Sequence, residues 1–187
     1  IPKDAYTLVH VSTLEGLDKG HLVFLETIRL LRKKGYNVKG RIVGGGRYKA
    51  HYEAESRKKG LERDVEFVGH LGAREDLRNV LIQSDIFLFP TETEGLPRSV
   101  IEAMACSLPC VASTVGGIPE LLEADYIADP KDLNRFCAIV EGLIKDKENY
   151  RRQSERNYNR ARDYRFEVLK ERRDTFYKAL LAKQGRI

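Results

Sequence analysis

The chain has few of the residues that build metal sites, disulfides and membrane spans. Its 187 residues include three cysteines, four histidines, one methionine and no tryptophan. The odd number and apolar surroundings of Cys106, Cys110 and Cys137 favour reduced core thiols over disulfides or a metal site. No run of eighteen apolar residues occurs, and the opening IPKDAY lacks the basic and apolar regions of a signal peptide. These absences predict a cytoplasmic protein with no metal and no membrane span.

Length and composition suit one folded domain. With 42% apolar and 33% charged residues, the chain is long enough for one ordinary core and short for two. We expect residues 1–187 to form a single domain, with a core over 1–144 and a tail over 145–187.

The net charge of +5 belongs to the tail. Residues 145–187 hold fourteen Lys and Arg against seven Asp and Glu, whereas residues 1–144 hold nineteen against twenty-one. In the stretch RRQSERNYNRARDYR the arginines recur at roughly helical spacing, which is typical of a solvated helix face. A surface that faces anionic lipid or another domain is the alternative. Because no nucleic-acid motif accompanies the charge, we expect no nucleic-acid partner.

Short apolar runs alternate with longer amphipathic ones. Strands are predicted at 6–11, 38–43, 65–68, 86–89, 109–112 and 126–128, and helices at 21–34, 47–60, 75–84 and after Pro97. Almost wholly apolar strands separated by helices indicate a parallel sheet buried on both faces. The predicted fold class is α/β: a doubly wound, Rossmann-like, mostly parallel six-stranded sheet with helices on both faces and a C-terminal helical tail. Beyond Pro130 the pattern predicts a helix, a linker around KDKEN (145–149) and a last helix at 164–182.

Glycines follow five successive predicted strands. They are Gly16 and Gly20, Gly44 to Gly46, Gly69 and Gly72, Gly95, and Gly116 and Gly117. Ligands of open α/β sheets bind at the carboxyl ends of the strands, so the pattern predicts one extended cleft. The run GGGR at 44–47 matches neither a dinucleotide-binding nor a P-loop motif. It is either a tight strand-to-helix turn or backbone thin enough for a sugar or flat group to approach.

Lys19 and a helix start are the candidate anion-binding groups. Lys19 in LDKGHL precedes a helix, where N–H groups favour a bound anion, although a solvated loop lysine is the commoner case. Pro97 suits a first helical turn. The N–H groups of Gly95, Leu96 and Arg98 are therefore expected near the positive end of that helix.

Glu94 and Glu102 flank the same helix start. A rise of about 1.5 Å per helical residue, with longer steps in the loop, places them on the order of 10 Å apart. That separation exceeds the roughly 5 Å between the carboxylates of a retaining glycosidase. It suits two hydrogen-bond acceptors that hold hydroxyls at opposite ends of a ligand with an anionic middle. An ion-paired surface acid is the alternative for Glu102.

The histidines form no recognisable metal set or catalytic base. His10 ends the first predicted strand and His70 opens the loop after the third, so both are expected to border the cleft. No partner for either is visible in the sequence.

The segment EGLPRSVIEAMACSLPCVAS, followed by GGIPE, carries a family resemblance. With LDKG, IVGGG and VEFVGHL in order before it, the stretch from Ala5 to Glu120 resembles the carboxyl-terminal, donor-binding half of a retaining glycosyltransferase of family 4. That family has the GT-B fold of two facing Rossmann-like domains. The resemblance implies a hexosyltransferase that moves a sugar from a nucleoside-diphosphate sugar to a hydroxyl acceptor, in polysaccharide or glycolipid assembly, without a further cofactor.

The resemblance also assigns residues. It implies that Glu94 holds hydroxyls of the transferred sugar and that Glu102 accepts a hydrogen bond from the ribose. It places the diphosphate on Lys19 and on amides near Gly95 and Leu96. Lys19 and Glu94 are the expected catalytic residues, and the expected donor-binding set also includes the backbone at His70 and Leu71, which meets the base, and Thr13, Gly44, Gly45 and Pro97.

Three positions depart from the family pattern. Thr13 stands where the family usually has a second diphosphate-binding arginine, and a hydroxyl adds no charge there. Ser107 replaces the usual glycine after the EAMA helix, and Pro97 replaces a frequent glycine. We expect a weakened hold on the diphosphate and a strained or reshaped turn at Ser107.

A full enzyme of this kind has an amino-terminal, acceptor-binding domain of similar size. The chain begins where the linker between the two domains would end, and the helix at 164–182 resembles the element that crosses back to that domain. We expect the tail to pack on this missing domain and the isolated chain to be inactive. The alternatives are a GT-B nucleotide-sugar epimerase, a sugar phosphorylase, and a nucleotide-binding or scaffold module whose basic tail docks on a partner or on the inner face of a membrane.

Overall fold

The computed structural model describes residues 5–183. Within them, six strands form one sheet in the order β3-β2-β1-β4-β5-β6, and every neighbouring pair is parallel. This confirms the predicted doubly wound, Rossmann-like sheet, whose order reverses between β1 and β4. The strands are β1 Tyr6–Val11, β2 Val38–Val43, β3 Val65–Gly69, β4 Ile86–Phe89, β5 Cys110–Ser113 and β6 Ile127–Ala128.

Helices connect the strands and continue beyond the last one. They are α1 His21–Lys33, α2 Lys49–Lys58, α3 Arg74–Ile82, α4 Arg98–Ala105, α5 Ile118–Leu121, α6 Leu133–Lys145, α7 Lys147–Ala161 and α8 Phe166–Lys183. The linker predicted around 145–149 is wrong, because α7 begins at Lys147. The Asp146 carboxylate accepts hydrogen bonds from the N–H groups of Glu148 and Asn149, both at 3.0 Å. It is an N-cap that starts a new helix directly after α6.

The sheet separates two apolar cores. Successive strand residues point to opposite faces, so Leu8 packs with Phe24 of α1 in one core and Val9 packs with Met104 of α4 in the other. All four side chains are completely buried. Helices α1, α2 and α6 cover the first core, and α4, α5 and part of α7 contribute to the second.

Helix α7 is docked on this domain, which corrects two expectations. The RRQSERNYNRARDYR stretch has a buried face as well as a solvated one, because Gln153, Asn157 and Ala161 are buried. The amide of Asn157 donates to the Leu108 carbonyl at 2.9 Å. The predicted boundary between residues 144 and 145 therefore does not separate a core from a tail, since the structure packs α7 against α4 and α6.

Arginines of α7 also satisfy backbone carbonyls at the end of α5. Arg156 donates to the Leu121 carbonyl at 2.6 Å, and Arg160 donates to the Glu120 carbonyl at 2.8 Å. Helix ends leave such carbonyls without intrahelical partners, and cations there interact favourably with the helix dipole. Part of the positive charge of residues 145–187 thus serves the fold.

Helix α8 contrasts with α7 because its large apolar side chains are exposed. Phe166 is 70% and Phe176 61% exposed, and Tyr177 lies beside Phe176 in an edge-on ring contact. No helix within residues 5–183 combines the length and apolar content needed to cross a bilayer. The apolar surface of α8 is thus left uncovered in the described part of the chain.

The turn after α4 holds Ser107 in the left-handed region, with φ of 61°. The Ser107 N–H donates to the Met104 carbonyl at 2.9 Å and the Leu108 N–H donates to the Ala103 carbonyl at 3.1 Å. This pair of bonds is a Schellman motif, which usually has glycine at the position of Ser107. The strain expected there is present in the backbone conformation.

A hydrogen-bond network lies within the α1-side core and reaches the end of β1. His10 Nδ1 is 3.0 Å from the Leu88 carbonyl oxygen, so that nitrogen carries the proton and donates. His10 Nε2 must then accept from the Ser12 hydroxyl at 2.9 Å, and the Ser12 oxygen in turn accepts from His21 Nε2 at 3.1 Å. The 3.5 Å separation between the Ser12 hydroxyl and the Thr13 carbonyl is too long to compete.

Burial keeps both histidines neutral. Desolvation lowers the pKa of His10 to about 4, although its bond to Leu88 opposes the shift. Desolvation, and secondarily the nearby His10, lowers the pKa of His21 to about 2. His21 Nδ1 is buried and has no hydrogen-bond partner among the described residues. The network is therefore stable only while both rings are uncharged.

We predict that Ser107→Gly stabilises the protein. The left-handed conformation costs a non-glycine residue about 1–2 kcal/mol. Glycine avoids this cost, but its greater conformational entropy in the unfolded chain lowers the free energy of unfolding by about 0.4–1 kcal/mol. The expected gain in the free energy of unfolding is therefore about 0.5–1 kcal/mol, measured by urea denaturation. Ser107→Ala is the matched control and should show no gain, since it keeps Cβ. A glycine variant no more stable than wild type would contradict the strain.

We also predict that acid destabilises the protein through His10 and His21. As the pH falls below about 6.5, the unfolded histidines bind protons while the folded ones do not, so the free energy of unfolding decreases. Replacing His10 by Asn, which keeps an N–H donor, removes one of the two contributions. Between pH 7.5 and pH 5 the variant should lose about 2 kcal/mol less than wild type.

Urea denaturation across this pH range measures the difference. At pH 7.5 histidine is mostly neutral in the folded and unfolded states. The difference in the free energy of unfolding at that pH therefore gives the packing cost of His10→Asn, without the effect of proton binding. Parallel pH curves for the two proteins would show that His10 does not contribute to acid destabilisation.

Candidate functional site

A cleft of about 570 Å³ lies at the carboxyl ends of the strands, beside the point where the strand order reverses. Loops after β1, β2, β3 and β4 and the first turns of α3 and α4 line it. Of the residues expected from the sequence, those that line the cleft are Thr13, Lys19, Gly44, Gly45, His70, Leu71, Glu94, Pro97 and Glu102.

Two expected residues do not line the cleft. Leu96 is 44% exposed, and the Gly95 carbonyl accepts a hydrogen bond from the Gly117 N–H at 2.6 Å. Another hollow of about 760 Å³ lies between α6 and α7, and none of the expected site residues line it. The strand-end cleft is therefore the candidate site, although it is the smaller of the two.

The first turn of α4 lies one residue later than expected. Pro97 has an extended ψ of 116° and precedes the helix, which begins at Arg98. The N–H groups without an intrahelical partner are consequently those of Arg98, Ser99 and Val100. Arg98 and Ser99 line the cleft, so the free amides at the cleft are those of residues 98 and 99 instead of 95 and 96.

Lys19 and Glu94 form an ion pair in the cleft. The Lys19 ammonium donates to Glu94 Oε1 at 2.9 Å and to the Thr93 carbonyl at 2.8 Å. The Asp18 carboxylate lies 3.9 Å from the same ammonium. Two groups to which the sequence assigned separate roles are thus in direct contact. Their 75-residue separation gives no local signal of the pair.

A backbone and a side-chain hydrogen bond join the loop after β1 to the loop after β4. The Glu92 N–H donates to the Asp18 carbonyl at 2.8 Å, and the Thr93 hydroxyl donates to the Asp18 carboxylate. Gly20 has a φ of 74°, and a Cβ there would overlap the Pro90 carbonyl. A side chain at position 20 would therefore push the two walls of the cleft apart.

The loop after β5 supports the Glu94 segment from another side. Gly116 has a φ of 57°, and a Cβ there would overlap the carbonyl groups of Glu94 and Gly95. The hydrogen bond from the Gly117 N–H to the Gly95 carbonyl joins the same two loops. The segment of residues 90–95 is therefore held between residues 18–20 and residues 116–117.

The glycine run at 44–46 serves mainly to pack the protein against itself. A Cβ on Gly44 would overlap the Ser12 carbonyl, and one on Gly46 would overlap the backbone of Leu14. Gly45 is less restricted, since its Cβ would lie 3.3 Å from that of His70. Of the two interpretations of this run, a tight turn accounts for Gly44 and Gly46, although Gly44 also borders the cleft.

Glu102 lies among cations that sequence reasoning did not single out. Partial burial raises the pKa of Glu102, and the charges of Arg98 and Arg74 oppose that shift. Both arginines line the cleft. Arg98 was detectable in the sequence, because it precedes Glu102 by four residues and therefore shares its helix face. Arg74 offered no such signal.

Ser12 is a further cleft residue that the sequence did not indicate. It lines the cleft and continues into the core through His10 and His21. His10 thus reaches the cleft through Ser12 and does not line it, whereas His70 does. Within residues 5–183 no three His, Cys, Asp or Glu side chains lie close enough together to hold a metal ion.

A family model described as glycosyl transferases group 1 matches residues 1–160. Among curated relatives, protein CapJ of Staphylococcus aureus is 31% identical over 136 residues, which cover 73% of this chain and 34% of that protein. The amylovoran biosynthesis glycosyltransferase AmsK of Erwinia amylovora is 34% identical over 131 residues, covering 65% of this chain and 32% of AmsK. The chain spans about a third of the length of these relatives.

Solved structures share the fold. Sucrose-phosphate synthase from Thermosynechococcus elongatus superposes with a TM-score of 0.85 at 21% identity, covering 98% of this chain and 47% of the synthase. HepE from Anabaena, in complex with UDP and glucose, superposes with a TM-score of 0.79 at 21% identity, covering 98% and 49%. The family model covers most of the chain, and the sheet, the cleft and the relatives agree with it. The chain belongs to the group 1 glycosyl transferases.

Proposed function

We propose that this chain is the donor-binding half of a glycosyltransferase that uses a nucleoside-diphosphate sugar and transfers the sugar, with retention, to a hydroxyl acceptor. The observation that carries the proposal is the meeting of Lys19, Glu94 and Glu102 in one cleft at the strand ends. The names of several relatives support a role in polysaccharide or glycolipid assembly. AmsK is named for amylovoran biosynthesis, WcaL of Escherichia coli for colanic acid biosynthesis, and a further relative from Escherichia coli is a diphosphoundecaprenol galactosyltransferase.

The arrangement of the cleft fits a diphosphate with polar groups at both ends. Lys19 and the free N–H groups at the start of α4 supply positive charge at its centre. Glu94, in the loop before α4, would accept from hydroxyls of the transferred sugar. Glu102, about one turn into α4, would accept from the ribose, and the backbone at His70 and Leu71 would meet the base. Among the structural neighbours, HepE and the pneumococcal transferase GtfA were solved with UDP and a sugar.

Charge development on the leaving group explains why these groups matter for transfer. The bond between the anomeric carbon and the diphosphate oxygen breaks, and its electron pair leaves with the diphosphate. The acceptor oxygen forms the new bond on the same face of the sugar, and its proton passes to the departing phosphate or to solvent. Lys19 and the α4 amides would stabilise the growing negative charge without a metal ion, while Glu94 would fix the orientation of the sugar.

The apolar surface of α8 supports a partner domain. Exposed aromatic side chains such as Phe166 and Phe176 are costly in water and typical of covered interfaces. The chain also spans only about a third of its curated relatives. An amino-terminal, acceptor-binding domain would pack there and complete the enzyme, and this chain alone would be inactive. Exposed basic residues of α7 and α8 would additionally suit the anionic inner face of a membrane.

Ligand-dependent stability tests the proposed donor class. A ligand at about 100 times its Kd stabilises the folded state by about 2.7 kcal/mol. We therefore expect a matching nucleoside-diphosphate sugar to raise the Tm of this chain by about 5–10 °C in thermal denaturation. Glu102→Ala is the control and should lose most of the shift. Stabilisation by anionic lipid vesicles but by no nucleotide sugar would favour the scaffold alternative.

Glu94→Ala should separate sugar recognition from diphosphate recognition. Removing this carboxylate deletes the proposed sugar contact and also frees Lys19 from its ion pair. The variant should bind the nucleoside diphosphate at least as tightly as wild type does by calorimetry, yet lose any preference for the nucleotide sugar. In the full-length enzyme the same change should abolish transfer with the fold intact by circular dichroism. Near-normal turnover would remove Glu94 from the proposed mechanism.

A further inference from the structure

The charged side chains that line the cleft differ in whether they already have an ion-pair partner. Its charged side chains within the described residues are Lys19, Arg74, Arg98, Glu94 and Glu102. Lys19 is the cation expected to meet the diphosphate. It already has the Glu94 carboxylate at 2.9 Å and the Asp18 carboxylate at 3.9 Å. One ammonium between two carboxylates leaves no positive charge in excess.

A diphosphate therefore needs a second cation at this position. The protein cannot supply it from Thr13, which lines the same cleft with a neutral hydroxyl. Two arginines remain. Each carries a permanent charge and a planar set of donors that matches phosphate oxygens.

Position favours Arg98 over Arg74. Arg98 begins α4, four residues after Glu94 and four before Glu102, so it lies between the acids assigned to the two ends of the ligand. Arg74 begins α3, directly after the loop of His70 to Gly72. That loop is assigned to the base, which is the far end of the ligand from the sugar. The diphosphate lies between sugar and ribose, where Arg98 is placed.

The side chain of Arg98 is available for a ligand. It is exposed, and within residues 5–183 its guanidinium forms neither a hydrogen bond nor a salt bridge. Its main described interaction is the longer-range attraction to Glu102. Its backbone N–H belongs to the free first turn of α4, so backbone and side chain would present donors to the same anion.

We infer that the Arg98 guanidinium is the second diphosphate-binding cation of this cleft, in the place that Thr13 leaves without charge. The inference rests on the proposed function, because it names a contact for the proposed ligand. It makes Arg98 a binding residue for the diphosphate and leaves the choice of base and sugar to other groups.

Calorimetry with nucleoside diphosphates and monophosphates on Arg98→Ala tests the inference. A charge-assisted contact of this kind corresponds to about a 10- to 100-fold change in Kd. For the nucleoside diphosphate that the wild-type chain binds most tightly, Arg98→Ala should raise the Kd by that factor. For the monophosphate with the same base, the Kd should rise by a smaller factor. Arg98→Lys, which keeps the charge but not the planar donor set, should retain most of the affinity.

Arg78→Ala is the matched control, because Arg78 pairs with Glu75 on α3 at 3.1 Å and does not line the cleft. It removes the same charge from the protein and should leave both affinities unchanged. Unchanged Tm values for all variants would show that the differences arise in binding and not in folding.

The outcomes separate this inference from the proposed function. A wild-type chain that binds no nucleoside diphosphate overturns the proposed function and this inference with it. Normal diphosphate affinity in Arg98→Ala, with or without a loss in Arg74→Ala, overturns the role of Arg98 alone and leaves the donor site standing.

Discussion

The contact between the loop after β1 and the loop after β4 is the constraint on which the candidate site depends. These loops leave adjacent parallel strands at the point where the sheet order reverses. They are joined by the Asp18 carbonyl and the Glu92 N–H, and by Lys19 with Glu94. Each such bond contributes only about 1 kcal/mol. Together they fix the distance between the two walls of the cleft. Every ligand contact proposed for Lys19 or Glu94 depends on that distance.

Glycine makes this closeness possible. Gly20, Gly44 and Gly116 each face a neighbouring carbonyl where a Cβ would overlap. The loops after β1, β2, β4 and β5 thus meet backbone against backbone at these three glycines. The glycines at the strand ends mark the site indirectly: they allow the loops to touch, and the touching loops then hold the functional side chains in place.

The sequence predicted secondary-structure elements well where the buried side chains are apolar. The first strand, Tyr6–Val11, and the fourth, Ile86–Phe89, were predicted to the residue because apolar runs between helices define a buried parallel strand. Helix α7 was misjudged because its buried face contains Gln153 and Asn157, so no apolar stripe distinguishes it from a solvated helix. The pairing of Lys19 with Glu94 was likewise invisible, since it depends on two strands becoming neighbours and not on spacing along the chain.

The network that runs from Leu88 through His10 to Ser12 gives the cleft wall a fixed polarity. Each hydrogen bond in it has one direction. The Ser12 hydroxyl donates its hydrogen bond to His10 Nε2, and the Ser12 oxygen accepts one from His21 Nε2. What Ser12 offers to the cleft is then a lone pair only. A phosphate oxygen gains nothing there, whereas a sugar hydroxyl can donate. Two neutral, buried histidines thereby turn an ordinary serine into a hydrogen-bond acceptor on the cleft wall, which would favour a sugar hydroxyl over a phosphate oxygen of the proposed donor.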